Sequence, residues 1–372
     1  MTEIYLIRHA QAEGNLYRMM QGHWDGGVTE LGLRQIDALA ERFKTLPVDA
    51  LYSSDLYRAR LTASAITRYH DIPMELSQKL REIDMGPWET RFFADLMHED
   101  PAAMERFIFS PDTWSVDGAE TYADVTARAY SFFEEIARRH EGQRVAVVSH
   151  GVTIRCVLSK ALGIDLRDTE ALPICRNTAV SKLIWENGAF TAEYINDYAH
   201  ILPLGDSAWN STEDLRGEAI DPALERAWYE KCYADAWLSA HGSLTGFSPE
   251  PYVAAAIDHA RCREGAVLRI YSGTEPVGLV DMDTEKGAGA LYGWISLLYL
   301  VPEYRHRGYG IQLLARTMAA YAEMGRKALR LTVAEENTAA LKFYKRHGFE
   351  VLSRQAGGLL LMEKKLGRHE QL

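Results

Sequence analysis

Two arginines and two histidines in the first half of the sequence follow short apolar runs: Arg8, His9, Arg58 and His150. Guanidinium groups match phosphate oxygens through paired hydrogen bonds, and an imidazole can act as a nucleophile or stabilise charge. A neutral histidine among these cations could accept a phosphoryl group in line while the cations stabilise its equatorial oxygens. These residue types predict phosphoryl-transfer chemistry if the fold brings them together.

Release of an alkoxide would require a proton donor near these residues. Glu82 is the leading candidate, because a carboxyl group in a loop over the pocket could stay protonated. This chemistry needs no metal ion, and the 12 histidines form no spacing that is typical of a metal site. The sequence therefore predicts a metal-free site for a small phosphomonoester.

The elements that precede these residues predict that they meet at one edge of a sheet. The apolar runs Ile4–Ile7, Ala50–Tyr52 and Val145–Val148 are typical of buried strands, and helical patterns at Leu31–Phe43 and Tyr57–Arg68 lie between them. This alternation predicts a parallel sheet with helices on both faces. Ligands of such sheets bind beyond the carboxyl ends of the strands, where the arginines and histidines stand.

A change in composition predicts a domain boundary. Residues Ala179–Tyr194 are typical of a hairpin around Asn187-Gly188, and residues 203–222 are rich in proline, glycine and polar side chains. We therefore expect a first domain at residues 1–202, a linker at 203–222 and a second domain at 223–372.

The second domain is predicted to be a mixed α+β sheet, because after two helical stretches consecutive strands come first and further helices are inserted later. The predicted elements are helices at 223–240 and 249–262, strands at Val267–Tyr271, Val277–Met282 and Ala290–Leu300, a helix at 308–324, a strand at Ala328–Val333, a helix at Thr338–His347, and strands near Phe349–Ser353 and Gly358–Met362.

A glycine-containing loop follows the strand that ends at Leu300. Gly308 and Gly310 allow close approach of the backbone, and the start of the next helix offers unpaired N–H groups to an anion. Arg305 and Arg307 add positive charge. The loop is therefore expected to hold a pyrophosphate.

Residues 1–202 resemble the histidine phosphatase (phosphoglycerate mutase-like) superfamily. The motifs that carry the resemblance are Arg8-His9, Asn15, the Gln21-Gly22 loop, Thr29–Gly32, Arg58, Glu82, Gly118–Thr121 and Ser149-His150-Gly151. It implies a three-layer α/β fold with a mostly parallel sheet, a phosphohistidine on His9 and Glu82 as proton donor. The implied phosphate pocket consists of Arg8, Asn15, Gln21, Gly22, Arg58, His150 and Gly151. Thr90 stands where many members have glycine.

Residues 223–365 resemble the GNAT N-acetyltransferases, in which an Arg-x-x-Gly-x-Gly loop holds the pyrophosphate of acetyl-CoA. The resemblance implies an α+β acyl-CoA N-acyltransferase fold, with strand Leu298–Leu300 along the pantetheine arm. Tyr344 matches the tyrosine that protonates the departing thiolate. The implied cofactor-binding residues are Leu300, Val301, Arg305, His306, Arg307, Gly308, Tyr309, Gly310, Asn337 and Tyr344.

Several features of the second domain stay open at this stage. The general base of acetyl transfer could be Asp281, Asp283 or a water-mediated route, and the first strand of the fold is expected within Ala199–Trp209. Aromatic residues on the early helices are more typical of a packed core than of an amine site: Trp228, Tyr229, Tyr233 and Trp237.

The amino-acid composition limits the binding partners and the cellular compartment that we expect for this protein. The 41 Lys+Arg and 52 Asp+Glu residues give a net charge of −11, which disfavours binding to nucleic acid. Four scattered cysteines are typical of a reducing compartment. No apolar run approaches the ~18–20 residues of a membrane helix, and the N-terminus does not resemble a signal peptide. We expect a cytoplasmic protein that binds neither nucleic acid nor membrane; no oligomeric state is predicted.

The leading hypothesis is a bifunctional enzyme that hydrolyses a phosphomonoester and transfers an acetyl group from acetyl-CoA to an amine. One alternative is a mutase in the first domain, which returns the phosphoryl group to its substrate. Another is that the GNAT-like domain binds acyl-CoA only to regulate the phosphatase.

Overall fold

A computed structural model describes residues 1–168, 170–173, 175–205 and 213–366. The chain separates into two compact units, whose described residues are 1–205 and 213–366. Residues 206–212 of the predicted linker and residues 367–372 of the predicted second domain lie outside the described residues.

The first unit is built on a mixed sheet. Its described strands are β1 (Thr2–Arg8), β2 (Ala50–Ser53), β3 (Met74–Leu76), β4 (Arg144–Ser149), β5 (Val180–Glu186) and β6 (Ala189–Asp197). They lie in the order β3-β2-β4-β1-β5-β6, with parallel pairing from β3 to β1 and antiparallel pairing from β1 to β6. The strands predicted from the apolar runs are confirmed as β1, β2 and β4.

Helices cover both faces of this sheet, as predicted. Leu6 and Val147 pack into the core under α6 (Tyr122–Arg139) and α7 (Gly151–Leu162), whereas their neighbours Ile7 and Val148 pack under α2 (Glu30–Phe43) and α3 (Tyr57–Thr67). Strands buried on both faces explain why the apolar runs are continuous rather than alternating. The described helices are α1 (Glu13–Tyr17), α2 (Glu30–Phe43), α3 (Tyr57–Thr67), α4 (Phe93–Glu99), α5 (Pro101–Phe109), α6 (Tyr122–Arg139) and α7 (Gly151–Leu162).

The hairpin predicted at the end of the first unit is confirmed by β5 and β6. The two residues between them have left-handed backbone conformations, with φ of 53° at Asn187 and 83° at Gly188. Two central residues with positive φ are typical of the tight turn whose twist matches the flanking strands.

The second unit is a mixed sheet with inserted helices, as predicted. Its described strands lie in the order β12-β13-β11-β10-β9-β8-β7, and only β10 and β11 pair in parallel among them. The elements are β7 (Arg216–Ala219), α8 (Arg226–His241), α9 (Glu250–Cys262), β8 (Val267–Ser272), β9 (Glu275–Asp283), β10 (Tyr292–Leu300), α10 (Gly310–Glu323), β11 (Ala328–Ala334), α11 (Thr338–Arg346), β12 (Glu350–Gln355) and β13 (Leu359–Lys365).

Strands β10 and β11 separate after a short parallel contact. In the described chain their pairing ends at Trp294 and Arg330, and the register between β10 and β9 shifts just beyond, between Ile295 and Leu297. The later part of β10 therefore has one edge without a strand partner among the described residues. This edge belongs to the segment predicted to line the pantetheine arm.

The expectation of a first strand within Ala199–Trp209 is wrong for its described part, because Ala199–Leu204 forms a 3-10 helix. The strand is instead β7, which lies inside the predicted linker and pairs with β8. The sequence of β7 is polar and contains no apolar run. It is an edge strand, and side chains of α10 hold the backbone of the residue that precedes it. Gln312 accepts the Leu215 N–H at 2.8 Å, and Arg316 donates to the Leu215 carbonyl at 2.6 Å.

Candidate active sites

His9 directly follows β1 and is 1% exposed. Its Nδ1 lies 2.7 Å from the carbonyl oxygen of Ala10. A carbonyl oxygen only accepts hydrogen bonds, so we assign the ring hydrogen to Nδ1, which leaves the lone pair on Nε2. Burial and the charges of Arg58 and Arg8 hold the pKa of His9 well below 6.5. His9 is therefore a neutral imidazole at pH 7 whose Nε2 can act as a nucleophile.

Arg58 lies in the first turn of α3 and is fully buried. Its Nη1 and Nη2 donate to the carbonyl oxygens of Trp24 at 2.9 Å and Gly22 at 2.7 Å. The carboxylate of Asp25 lies 3.8 Å from Nη1. Burial lowers the pKa of Arg58 to about 10, so the guanidinium stays charged at pH 7. The loop that contains Gly22 therefore orients a buried cation.

His150 follows β4, and its ring centroid lies 5.1 Å from that of His9. Its Nε2 lies 2.8 Å from Oγ of Ser54, which also accepts the N–H of Leu56 at 3.3 Å. We therefore assign the Ser54 hydroxyl hydrogen to Nε2, so that Nδ1 of His150 carries the ring hydrogen. Burial and the charge of Arg58 lower the pKa of His150 well below 6.5.

Arg8 completes the group at the end of β1. Its Nη1 donates to the carbonyl oxygen of Cys175. Its guanidinium lies beside Gly151, the first residue of α7, since a Cβ built on that glycine would be 3.5 Å from Cζ of Arg8. The ends of β1 and β4 thus bring Arg8, His9 and His150 together, as the sequence predicts for a parallel sheet.

Three donors of this group are buried without a hydrogen-bond partner in the described chain: Nε of Arg8, Nε of Arg58 and Nδ1 of His150. A buried unsatisfied donor costs ~1–3 kcal/mol, so such groups indicate a ligand that accepts from them. The centroids of the two histidine rings lie 5.1 Å apart, and the charges of both arginines lower the pKa of both rings, so the three donors belong to one cationic pocket. The oxygens of a phosphoryl group on Nε2 of His9 fit this arrangement.

Hydrogen bonds place the Glu82 carboxylate at the start of α7, the helix that follows His150. Its Oε1 accepts the N–H groups of Ile83, Val152 and Thr153, each at 3.1 Å. Its Oε2 lies 3.2 Å from the nitrogen of Val152. Among the described residues Oε2 thus has one backbone N–H donor against three for Oε1, which leaves Oε2 with capacity for a further hydrogen bond.

Arg128, which the sequence analysis did not identify, holds the loop that carries Glu82. From α6 it donates to the carbonyl oxygens of Arg81 at 2.8 Å and Glu82 at 2.9 Å, and it pairs with Glu120 at 2.7 Å. The carbonyl groups of Arg81 and Glu82 lie 47 and 46 residues before Arg128 in the sequence, so no local sequence pattern indicates that Arg128 holds this loop.

The amides predicted to bind phosphate also contact the backbone of the site. Oδ1 of Asn15 and Oε1 of Gln21 each accept a backbone N–H, at 3.0 and 3.2 Å. Asn177, another residue that the sequence analysis missed, donates to the carbonyl oxygen of His9 at 2.9 Å and to Oδ1 of Asn15 at 3.3 Å. Asn15 and Asn177 thus fix the turn after β1, and phosphate contact by Asn15 and Gln21 stays a prediction.

Gly22 suits its backbone position near the site, whereas Thr90 is strained at its position. A Cβ on Gly22 would lie 2.3 Å from the carbonyl oxygen of Ile83, so only glycine allows this approach, which brings the Gly22 carbonyl to Arg58. Thr90 has a φ of 63°, which is strained for a β-branched residue. This explains why a glycine is frequent there in the family that the sequence resembles.

The loop before α10 contains two residues with left-handed backbone. His306 and Gly308 have φ of 59° and 87°, and α10 begins at Gly310. Left-handed residues alternating with right-handed ones turn successive N–H groups toward one side and form an anion-binding concavity. The loop therefore fits the predicted pyrophosphate, with the helix start of α10 beside it.

The two arginines of this loop have different partners. Arg305 donates to the carbonyl oxygen of Leu300 at 2.7 Å and pairs with Asp235 of α8. Its side chain is thus engaged with α8 rather than with the concave backbone. Arg307 is exposed and stacks on the rings of Tyr304 and Tyr309, 5.6 Å from each centroid. Arg307 is therefore the better placed cation for a pyrophosphate.

Asn337 precedes α11 and Tyr344 lies within it. Oδ1 of Asn337 accepts the backbone N–H of Ala340 at 3.1 Å and so caps the start of α11. The Tyr344 ring packs between Phe343 and Phe349, with centroids 5.3 Å away, and burial raises the pKa of its hydroxyl. The Phe343 ring lies 3.0 Å from a Cβ built on Gly310, so α11 adjoins the loop.

Both carboxylate oxygens of Asp281, which is one alternative for the general base, have side-chain hydrogen-bond partners. It is 1% exposed, accepts the Tyr229 hydroxyl at 2.6 Å and lies 2.7 Å from Nδ1 of His259. Burial opposes the charged ring, but the hydrogen bond and charge of Asp281 raise the pKa of His259. The cluster joins α8 and α9 to β9, and Tyr229 is a core residue as its helical spacing predicts. Asp283 and a water-mediated route stay open.

Comparison with known proteins identifies a family for each half of the chain. A model of the histidine phosphatase superfamily (branch 1) matches residues 4–198, more than half of the chain. The chain belongs to the histidine phosphatase superfamily. A model of the acetyltransferase (GNAT) family matches residues 226–349, so this histidine phosphatase is fused to a GNAT-family domain.

Individual relatives correspond to about half of the chain. Phosphoserine phosphatase 1 of Hydrogenobacter thermophilus is 34% identical over 166 residues, which cover 45% of this chain and 79% of the relative. The probable phosphoglycerate mutase GpmB of Proteus mirabilis is 30% identical over 55% of this chain and 97% of its own. The structure of Bacillus stearothermophilus YhfR superposes with a TM-score of 0.52 and 30% identity, covering 54% of this chain and all of that one.

The described residues were also inspected for metal clusters and membrane helices. They contain no group of three or more His, Cys, Asp or Glu residues arranged to hold a metal ion. In the same residues no helix combines the length and the apolar character that crossing a bilayer requires.

The buried histidines of the phosphatase domain are expected to make its stability depend on pH. Below pH 6.5 the unfolded chain protonates His9 and His150, whereas the folded chain keeps them neutral. The free energy of unfolding is therefore unaffected by them above pH 6.5 and falls below it, by up to ~1.4 kcal/mol per pH unit for each residue. His150→Gln, which can still hydrogen-bond to Ser54, should reduce this slope by about that amount.

Urea unfolding of the full chain between pH 5.5 and 7, read by hydrogen exchange of peptides from β1 and β4, measures the slope. His98→Gln, at an exposed position in α4, is the matched control. Equal slopes for the wild type and His150→Gln would mean that His150 is not held neutral.

Proposed function

We propose that the first domain hydrolyses small phosphomonoesters through a phosphohistidine on His9. The observation that supports this most strongly is the neutral, buried His9 in a pocket with three buried donors, on Arg8, Arg58 and His150, that have no partner among the described residues. Two cations and two neutral imidazoles in one pocket suit a dianionic phosphoryl group, and its in-line transfer to Nε2 needs no metal.

The reaction has two steps. Nε2 of His9 attacks phosphorus, the bond from phosphorus to the ester oxygen breaks, and the carboxyl group of Glu82 gives its proton to the departing alkoxide. Water then attacks the phosphohistidine, Glu82 takes a proton from this water, and inorganic phosphate leaves with His9 restored. Arg8, Arg58 and His150 stabilise the equatorial oxygens in both steps.

Similarity to a phosphoserine phosphatase supports a phosphorylated amino acid or a metabolite of similar size as the substrate. Similarity to probable phosphoglycerate mutases supports isomerisation as a second candidate, in which the phosphoryl group returns from His9 to the substrate instead of to water. Release of inorganic phosphate distinguishes the two.

We also propose that the second domain transfers the acetyl group of acetyl-CoA to an amine. The loop His306–Gly310 and Arg307 would hold the pyrophosphate, and the free edge of β10 up to Val301 would hold the pantetheine arm. Acetyl-CoA supplies an activated acyl carbon as a thioester. The amine gives a proton to a base, which is Asp283 or a water molecule, and bonds to this carbon; the carbon–sulfur bond breaks, and Tyr344 protonates the departing sulfur.

Two parallel assays on the full chain test these proposals. Phosphate release is measured over a panel of phosphorylated metabolites, with and without acetyl-CoA, and thiol release from acetyl-CoA is measured over the dephosphorylated products. Hydrolysis of at least one compound and thiol release with at least one amine are expected. Isomerisation without phosphate release would establish a mutase. Acetyl-CoA that changes the phosphatase rate while no amine consumes it would establish a regulatory domain.

Tyr344→Phe is expected to lower kcat of acetyl transfer by about 10²-fold or more, because it removes one proton donor and leaves the ring packing intact. The Kd of acetyl-CoA, measured by calorimetry, should change less than about threefold, since the hydroxyl acts on the departing sulfur. Phe343→Leu on the same helix is the matched packing control. An unchanged kcat would remove the acid role of Tyr344.

A further inference from the structure

Lys286 lies in the connection between β9 and β10, and its ammonium group is held at the start of β10. Its Nζ lies 3.2 Å from the centroid of the Trp294 ring. The negative face of an indole attracts a cation, and this attraction is weak at an exposed position such as that of Lys286. The ring therefore keeps the amine near Trp294 and still allows it to leave and react.

Hydrogen bonds fix the backbone on both sides of Lys286. Oδ1 of Asp283 accepts the backbone N–H of Lys286 at 2.9 Å. Arg326 donates to the carbonyl oxygens of Thr284 at 2.9 Å and Ala288 at 2.8 Å. The connection therefore holds the lysine backbone in one place beside the start of β10.

The amine lies on the face of the sheet that packs against α9. Asp283 stands directly opposite Trp294 across β9 and β10, and such pairs point to the same face. Asp283 faces α9, since its Oδ2 lies 3.6 Å from Nε2 of His259. Gly293 points the other way, because a Cβ built on it would lie 2.3 Å from the Tyr321 ring of α10. The indole and the amine above it are therefore on the α9 face.

This level of β10 is where the reactive end of the proposed acetyl donor belongs. The pyrophosphate loop follows Leu300, at the far end of the strand, so a pantetheine arm that starts there runs back along β10 toward Trp294. In the described chain the pairing of β10 with β11 ends at Trp294, and the strands separate beyond it. A thioester at the start of this opening would lie next to the indole and the amine of Lys286.

The helix that carries Tyr344 lies on the opposite face of the sheet. Strands β10, β11 and β12 run in the same direction and follow one another across the sheet, with β13 antiparallel between β11 and β12. Right-handed crossovers then place α10 and α11 on the same face, which for α10 is the face of Gly293. A thioester between the separating strands would therefore have the Lys286 amine on one face and α11 on the other.

We propose that Lys286 is an acetylation site of its own domain, which transfers the acetyl group of acetyl-CoA to Nζ. Asp283 or a water molecule takes a proton from the ammonium, the neutral Nζ bonds to the acyl carbon and loses a second proton, the carbon–sulfur bond breaks, and Tyr344 protonates the departing sulfur. The products are acetylated lysine, CoA and one proton. This inference rests on the proposed acetyl transfer and names one acceptor for it.

The environment of Lys286 also favours the reactive form of the amine. Burial beside the indole lowers the pKa of Lys286, although the charge of Asp283 opposes this shift. A lower pKa increases the fraction of neutral amine at a given pH, and only the neutral amine can attack the thioester.

Mass spectrometry of the full chain after incubation with acetyl-CoA, without added amine, tests the proposal. The peptide that contains Lys286 should be acetylated at least about tenfold faster than the peptide that contains Lys231, because the reacting groups are held together. Lys231 is the matched control, since it is also exposed and its ammonium also lies over an indole, 5.6 Å from the centroid of Trp228 on α8. Thiol release should show a burst of up to one equivalent per chain, which Lys286→Arg abolishes and Lys231→Arg keeps.

Two further measurements separate transfer within one chain from chemical acetylation of exposed lysines. The rate constant for Lys286 should stay the same when the chain is diluted tenfold. Excess CoA, which competes for the donor site, should suppress acetylation of Lys286 and leave that of Lys231 unchanged. Equal rates for the two lysines, a rate constant that scales with chain concentration, or no effect of CoA would overturn the assignment.

These outcomes differ from a failure of the proposed acetyl transfer. If a free amine is acetylated while Lys286 stays unmodified, the inference is wrong and the transferase proposal stands. If calorimetry shows that acetyl-CoA does not bind the chain, both fail. Acetylation of Lys286 by a chain that acetylates no free amine would support the inference and contradict transfer to free amines.

Discussion

His9→Ala is expected to abolish phosphate release, with a fall in kcat of about 10⁴-fold or more. The variant removes the nitrogen that attacks phosphorus, and no other ring in the described site is placed to replace it. Nδ1 of His150 is assigned a hydrogen, so its ring presents a donor rather than a lone pair to the pocket. The surrounding arginines could still bind the substrate, so KM should change much less than kcat.

The measurement is steady-state phosphate release on the full chain, with two controls. The Kd of acetyl-CoA should be unchanged, which shows that the second domain remains folded. His98→Ala removes an exposed histidine of α4 and should retain wild-type activity. Hydrolysis by His9→Ala within tenfold of the wild type would contradict the assignment of the nucleophile.

Glu82→Gln is expected to lower kcat about 10²- to 10⁴-fold for esters with poor leaving groups. The amide oxygen can still accept the N–H groups of Val152 and Thr153, so the start of α7 keeps its cap while the transferable proton is lost. For aryl phosphates, whose leaving groups need little protonation, the first step, measured as the burst of released phenol, should be affected much less. Rates for alkyl and aryl phosphates measured with one enzyme preparation provide the comparison.

Glu82→Ala separates the catalytic role of Glu82 from its structural one. This variant loses the cap as well as the proton, so it should be less stable than Glu82→Gln by about 1 kcal/mol, the usual cost of a lost helix cap. If Glu82 serves only to cap α7, Glu82→Gln would keep wild-type kcat for alkyl phosphates and only Glu82→Ala would be impaired.

The strands and their ends could be predicted because their signals are local. Continuous apolar runs identify strands covered on both faces, and Arg8, His9 and His150 follow two of them that pair directly, β1 with β4. Parallel pairing then places the ends at one edge, whatever the rest of the chain does. The hairpin at Asn187-Gly188 was equally predictable, because both residues tolerate positive φ.

The supporting contacts could not be predicted, because they join residues far apart in the sequence. Asn177 reaches the backbone of His9 across 168 residues. Arg305 shows the same limit in the second domain, since its charge suggests a pyrophosphate contact and its partner Asp235 lies 70 residues away. The edge strand β7 was missed because its short polar sequence is stabilised by Gln312 and Arg316 rather than by its own apolar residues.

The central claim is that His9 carries the phosphoryl group, and trapping this intermediate tests it most directly. The full chain is mixed with a phosphorylated substrate found in the panel, quenched with base within milliseconds and digested, and the peptide that contains β1 is analysed by mass spectrometry. We expect a phosphate on His9 that is stable in base and is lost in acid. With an aryl phosphate as substrate, this phosphorylated form should accumulate in Glu82→Gln if the variant slows the hydrolytic step. Turnover with no phosphate on this peptide, or with phosphate on another residue, would contradict the mechanism.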